Sequence, residues 1–173
     1  MDNKATSSWF ALHVKTRMER MAAQVLEGKG IVGFAAIHKQ ARRWSDRVKY
    51  VDGPLFPGYI FCQFDRMQRT DVLQTPGVIS IVGFGNDPTP IPDEEITSLQ
   101  AAVASGLPAW PLPSLQPGTR VQIKNGCLGQ LSGVLLREKS SMRVVVNVTL
   151  LQRAVAVELS RDMISAIPIM SLS

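Results

Sequence analysis

Few side chains in this sequence have the type and spacing for bond-making chemistry or metal capture. His13 and His38 are the two histidines, and their spacing suits no metal site. Asp93-Glu94-Glu95 is an acidic trio, but it stands at a helix start, where carboxylates complement the dipole. Gly28-Lys29-Gly30 lacks the preceding strand that a phosphate-cradling loop needs. Cys62 falls in an apolar strand and Cys127 in a loop, with no partner pattern around either. Two free thiols are therefore expected, rather than a disulfide or a zinc cluster. An enzyme would need a nucleophile with a base, paired carboxylates or metal ligands, and none of these assembles. The expectation is a binding protein without catalytic residues, metal or cofactor.

Recognition is the chemistry that remains. Pro54-Leu55-Phe56-Pro57-Gly58-Tyr59-Ile60-Phe61 runs from a turn into an apolar strand and sets three aromatics within six residues. Charge is one-sided. Residues 1–50 carry ten Lys and Arg against four Asp and Glu, whereas the other nine and ten nearly cancel. A surface facing nucleic acid shows such an imbalance, and so does a solvated charged face.

Periodicity and punctuation give the elements that must position these residues. Trp9 to Val14 is short, apolar and aromatic, and reads as a first strand. Thr16-Arg17-Met18-Glu19 has capping-box spacing. Met18, Met21, Ala22, Val25 and Leu26 then form one apolar helical stripe, with Gly28 and Gly30 as terminators. Ala35 to Trp44 and Arg47 to Val51 make a charged hairpin about Ser45-Asp46. Leu55 to Phe64 is the most apolar strand and is expected at the sheet centre. A short helix near Thr70 to Gln74, a strand from Val78 to Phe84 and a helix between Pro92 and Gly106 follow. Together they predict an α+β sandwich of roughly 105 residues.

Leu107 to Pro117 contains four prolines and is expected to be an extended, semi-rigid tether. Beyond it, Arg120 to Lys124, Leu131 to Arg137, Met142 to Thr149 and Ala154 to Leu159 read as strands. Asn125-Gly126, Gly129 and Gly133 supply corners, so a small closed β-barrel is expected. The domains are thus 1–106 and 118–173, with a linker at 107–117. No stretch approaches the roughly 20 apolar residues of a membrane span, and no signal core follows the N-terminus, so a cytoplasmic location is expected.

In this order, the Trp9-Phe10 strand, the helix, the basic hairpin, the Pro54-to-Tyr59 segment and Gly118 to Leu159 resemble the NusG family of transcription elongation factors. The first part resembles its NGN domain. The second is similar to its SH3-like KOW module, with Gly133 matching the module's glycine and Val157-Glu158-Leu159 its last strand. The resemblance implies a monomeric elongation or antitermination factor that binds the clamp helices of the largest RNA polymerase subunit. Such a factor bridges the cleft and suppresses pausing or termination. The spelling of Pro54-Leu55-Phe56-Pro57 and Phe61-Cys62-Gln63-Phe64-Asp65 is closer to RfaH-like specialised paralogs, which implies an operon-dedicated antiterminator. The alternative is a housekeeping NusG that couples polymerase to Rho or the ribosome. A ribosome-associated KOW RNA-binding protein is more distant, because the basic surplus lies outside the barrel.

Carried over by position, Phe56, Tyr59 and Phe61 match the family's polymerase-facing aromatics. His13 matches an aromatic contact of the RfaH branch, and Phe84 falls on the last apolar strand of that surface. Arg69 and Thr70 fall where that branch touches the opposite side of the cleft. Arg42, Arg43, Arg47 and Lys49 of the hairpin would face the phosphates of the non-template DNA strand, with Trp44 stacking on an unpaired base. Leu150, Leu151 and Arg153 lie in the loop that meets NusE or Rho in the KOW module. There Leu151 stands in the place of a key aromatic, and Gln152 in that of a glycine.

Overall fold

The computed structural model describes residues 7–107, 109–113, 120–123, 132–138, 141–151, 153–159 and 164–166. The chain divides into two units, residues 1–37 with 56–96 and residues 38–55 with 97–173. Residues 7–104 have the architecture of an α/β sandwich. No helix among the described residues is long and apolar enough to cross a membrane.

In chain order the first elements are β1 (Ser8–Val14), α1 (Glu19–Gly28), β2 (Val32–Phe34), β3 (Ile37–Arg43), β4 (Val48–Pro54) and β5 (Tyr59–Phe64). A 3-10 turn (Arg66–Gln68), α2 (Arg69–Leu73), β6 (Val78–Ile81), β7 (Gly83–Phe84), β8 (Asp87–Pro88) and α3 (Asp93–Ala104) follow. β1, β2, β5 and β6 form one sheet in the order β2-β5-β1-β6, with antiparallel neighbours. The Tyr59–Phe64 strand is central, as its apolar run predicts. It begins only at Tyr59, because Leu55 to Gly58 is spent on a turn.

One face of this sheet carries the core. Leu12 and Val14 of β1, Ile60, Cys62 and Phe64 of β5, and Ala22 and Leu26 of α1 are packed together and shielded from water. Each large side chain buried there contributes about 1.5–3 kcal/mol. Helix and sheet approach closely. A Cβ on Gly33 of β2 would come within 2.8 Å of the Ala23 carbonyl oxygen.

The helix departs from expectation in start and phase. Thr16 and Arg17 are in a turn, Arg17 has φ 71°, and the helix starts at Glu19 with no side-chain cap on Met18. The buried positions are Glu19, Ala22, Ala23 and Leu26, while Met21 is exposed. Glu19 turns inward, and its carboxylate meets a backbone amide of the turn before β5.

The second unit contains the β3–β4 hairpin and a six-stranded sheet. The sheet comprises β9 (Ala109–Pro113), β10 (Arg120–Ile123), β11 (Ser132–Glu138), β12 (Ser141–Val148), β13 (Arg153–Leu159) and β14 (Ile164–Ala166), in the order β14-β10-β11-β12-β13-β9. All these pairings are antiparallel. The strands expected from Arg120 to Leu159 are present. Residues 109–113 differ from expectation: they are no free tether but a strand paired with β13, Trp110 opposite Ala156 and Leu112 opposite Ala154. Extended proline-rich chain can do this at a sheet edge, where half its N–H groups need no partner. The corner residues Asn125, Gly126 and Gly129, and Cys127, lie outside the described residues.

Candidate protein-recognition surface

The face of the sheet opposite α1 changes character along its length. Period-2 alternation puts Trp9, Ala11 and His13 of β1 on it, opposite Gln63, Phe61 and Tyr59 of β5. Trp9, Ala11 and Phe61 are buried, whereas His13 is exposed and Tyr59 half-exposed. The His13 and Tyr59 rings stack, with centroids 5.4 Å apart and planes at 30°. On its other side His13 faces Ser80 of β6, and the register slips between His13 and Val14. Val14 pairs with Val78, so Ile79 is the extra residue of a bulge, 52% exposed beside the stacked pair. Bulges commonly re-aim a side chain in this way. Ile79 has no sequence signal of this role, since a bulge leaves no signature in Val78-Ile79-Ser80-Ile81.

The turn leading into Tyr59 is tightly specified. Tyr59 N–H donates to the Phe56 carbonyl at 3.0 Å, and Gly58 has φ +81°, a conformation glycine adopts without strain. The Gly58 carbonyl accepts from Val14 N–H at 2.9 Å, and the Gly58 N–H donates to Glu19 Oε1 at 2.9 Å.

Two predicted anchors are corrected. Phe56 is 1% exposed and Phe61 is fully buried. Their rings meet edge to face with centroids 5.5 Å apart, and Phe34 lies 6.1 Å from Phe61. They are core because the Pro57-Gly58 turn folds Phe56 inward and β5 is central. Phe61 stands further along the same face as Tyr59, where that face is covered, and neither buried ring contributes to the surface of His13, Tyr59 and Ile79.

Phe84 is 81% exposed and stands on the small β7–β8 hairpin, opposite Asp87. Arg69 reaches this hairpin, its Nη2 donating to the Asn86 carbonyl at 2.9 Å. Thr70 is exposed beside it at the start of α2. Arg69, Thr70 and Phe84 are thereby brought to one neighbourhood. Met67 is exposed in the preceding 3-10 turn.

The β3–β4 hairpin is exposed from Arg42 to Val51. Trp44 and Arg47 exchange backbone hydrogen bonds at 2.8 and 3.3 Å, closing the turn at Ser45-Asp46 as predicted. Alternation from that pair puts Arg42, Trp44, Arg47, Lys49 and Val51 on one face and Arg43, Val48 and Tyr50 on the other. The Gln40 amide lies over Gly53, which this register places on the same face as Gln40. Three of the four predicted cations thus share a face with Trp44, while Arg43 turns away. His38, further down β3, is buried, which lowers its pKa.

In the second unit Leu150 and Leu151 lie in the 3-10 turn Thr149–Leu151 and are half-buried, while Arg153 opens β13 and is exposed. Gln152 lies outside the described residues. Burial pushes the Cys62 thiol far up, so it is an inert core group. Among the described residues no group of three or more His, Cys, Asp or Glu side chains could hold a metal ion.

A family profile described as transcription termination factor nusG matches residues 7–100. The transcription termination/antitermination protein NusG of Thermus thermophilus is 28% identical over 175 residues, covering 87% of this chain and 94% of that protein. A solved structure of Thermotoga maritima NusG aligns over 94% of this chain and 98% of its own, with a TM-score of 0.52 at 21% identity, a likeness of fold.

Proposed function

The chain belongs to the NusG family, whose members are non-catalytic transcription factors, and on that premise we propose that its first unit docks on RNA polymerase through the surface around His13 and Tyr59. The partner is the pair of clamp helices of the largest polymerase subunit, and the outcome is suppressed pausing or termination. One observation carries this reading: two cross-strand rings on the central strands are stacked at 5.4 Å and held at the surface, while their neighbours are buried. Rigid, partly exposed aromatics are what a protein interface uses as anchors. Ile79 extends the apolar contact. Phe84 with Arg69 and Thr70 makes the contact across the cleft, and the basic face of the β3–β4 hairpin meets the non-template strand.

The spelling of residues 54–65 favours an operon-dedicated paralog. A housekeeping factor that couples polymerase to Rho or the ribosome is the second reading. It is favoured by the match to the Thermus thermophilus protein, whose extent of 87% of this chain reaches beyond the first domain. In either case residues 118–173 form a KOW-type barrel that recruits a partner through Leu150, Leu151 and Arg153. Pull-down of core RNA polymerase with the His13→Ala/Tyr59→Ala chain tests the docking surface. Loss of two anchors weakens binding by about 30-fold or more, with little change in melting temperature. Undiminished capture by the double variant refutes it.

A further inference from the structure

Glu19 is the one buried acidic side chain among the described residues, 3% exposed. It sits in the first turn of α1, yet it caps nothing there. Its Oε1 instead accepts from the Gly58 N–H, 39 positions along the chain. The same peptide segment is gripped from the other side, where Val14 N–H donates to the Gly58 carbonyl. The residues adjoining these two grips are Tyr59, directly after Gly58, and His13, directly before Val14. They are the stacked pair. A Cβ on Gly58 would lie 3.9 Å from two atoms of the His13 ring, so the imidazole rests over the turn as well as against the tyrosine.

A buried N–H is rarely left without an acceptor. Were Glu19 to release it, the most mobile main-chain torsions of the turn, those of Gly58, would rotate to find another. That rotation swings the next residue. We propose that Glu19 is a positioning residue: by holding the Gly58 amide it fixes the turn in the conformation that lays Tyr59 against His13. The role in recognition rests on the docking surface proposed above; the role in aiming Tyr59 does not.

Two substitutions separate reach from charge. Glu19→Gln keeps a side-chain carbonyl at the same reach and drops the charge. Glu19→Asp keeps the charge and withdraws the acceptor by one methylene. The chain has only two histidines, so the ring protons of His13 are easily assigned by NMR at alkaline pH. Stacking on Tyr59 shields them, and Tyr59→Leu gives the unstacked reference. The expected result is a wild-type shift in Glu19→Gln and a shift near the Tyr59→Leu reference in Glu19→Asp. In parallel, Glu19→Gln binds core RNA polymerase like the wild type and Glu19→Asp about 10-fold more weakly, the scale of a lost charge-assisted hydrogen bond. A wild-type ring shift in Glu19→Asp, or a Tyr59→Leu-like shift in Glu19→Gln, overturns the positioning role. Should Glu19→Asp fail to fold, Gly58→Ala replaces it, since alanine at φ +81° disturbs the same turn with Glu19 in place. If the shifts behave as expected while the wild type fails to bind polymerase, the docking reading falls and the positioning role stands. If the shifts behave and Glu19→Asp binds polymerase fully, the role in recognition is overturned.

Discussion

Replacing Arg42, Arg47 and Lys49 together with glutamine removes the three cations that share a hairpin face with Trp44, and the effect can be counted. Each phosphate neutralised on a single strand adds about 0.7 to the slope of log affinity against log salt. Three contacts add about 2.1, so between about 50 and 200 mM salt the wild type loses roughly 20-fold more affinity than the triple variant. Arg43→Gln, on the opposite face, leaves the slope unchanged. Trp44→Ala lowers affinity at every salt concentration by about 1–3 kcal/mol, the worth of one stacked base, without altering the slope. All these side chains are exposed, so none of the changes shifts stability beyond about 0.5 kcal/mol. Fluorescence anisotropy with a labelled single-stranded oligonucleotide at four salt concentrations measures both quantities. An unchanged slope in the triple variant refutes the DNA role of this face. A slope that Arg43→Gln flattens as much as any one of the three refutes the assignment of faces.

Phe61→Ala costs about 3–5 kcal/mol in chemical denaturation, as for a buried aromatic, and Tyr59→Ala costs much less; equal losses would return Tyr59 to the core. Gly33→Ala destabilises the first unit by about 1–3 kcal/mol, because its Cβ would press on the backbone of α1 at Ala23, and a melting temperature equal to wild type would show that the helix yields freely. Burial lowers the pKa of His38 below its ordinary 6.5, so as pH falls the unfolded chain takes up a proton before the folded one does. Its contribution to stability is present above about pH 6.5 and fades as pH falls through the folded value; denaturation midpoints in His38→Gln decline less between pH 7 and 5, and parallel declines would contradict this.

What the sequence made legible was pattern and order. An uninterrupted apolar run marked Tyr59–Phe64 as the central strand, the Ser45-Asp46 turn marked the hairpin, and the order of segments marked the family. What it hid were features decided by partners distant in the chain. Thr16 to Glu19 has the spacing of a local cap, but the carboxylate serves Gly58 instead, and Glu19 joins Ala22 and Leu26 on the buried side of α1. Phe56 and Phe61 have the same type and spacing whether they face a partner or the interior; only the turn at Pro57-Gly58 and the central place of β5 decide it. Arg42 and Arg43 are adjacent letters of one basic run, and only the register set by Trp44 and Arg47 sends them to opposite sides. Ile164–Ala166 is too short to stand out as a strand without its pairing to β10.

The proline-bearing strand Ala109–Pro113 has a practical bearing on where this chain can be cut. Pro111 and Pro113 bring no amide hydrogens, so the rim of the six-stranded sheet that they form is a poor template for a foreign strand. Beside them runs Arg153–Leu159, in which residues 154–157 alternate alanine and valine and every amide is intact. A fragment starting after Pro117 would strip this guard away and bare a run well suited to self-association. Soluble preparations of the C-terminal half should therefore begin ahead of Ala109.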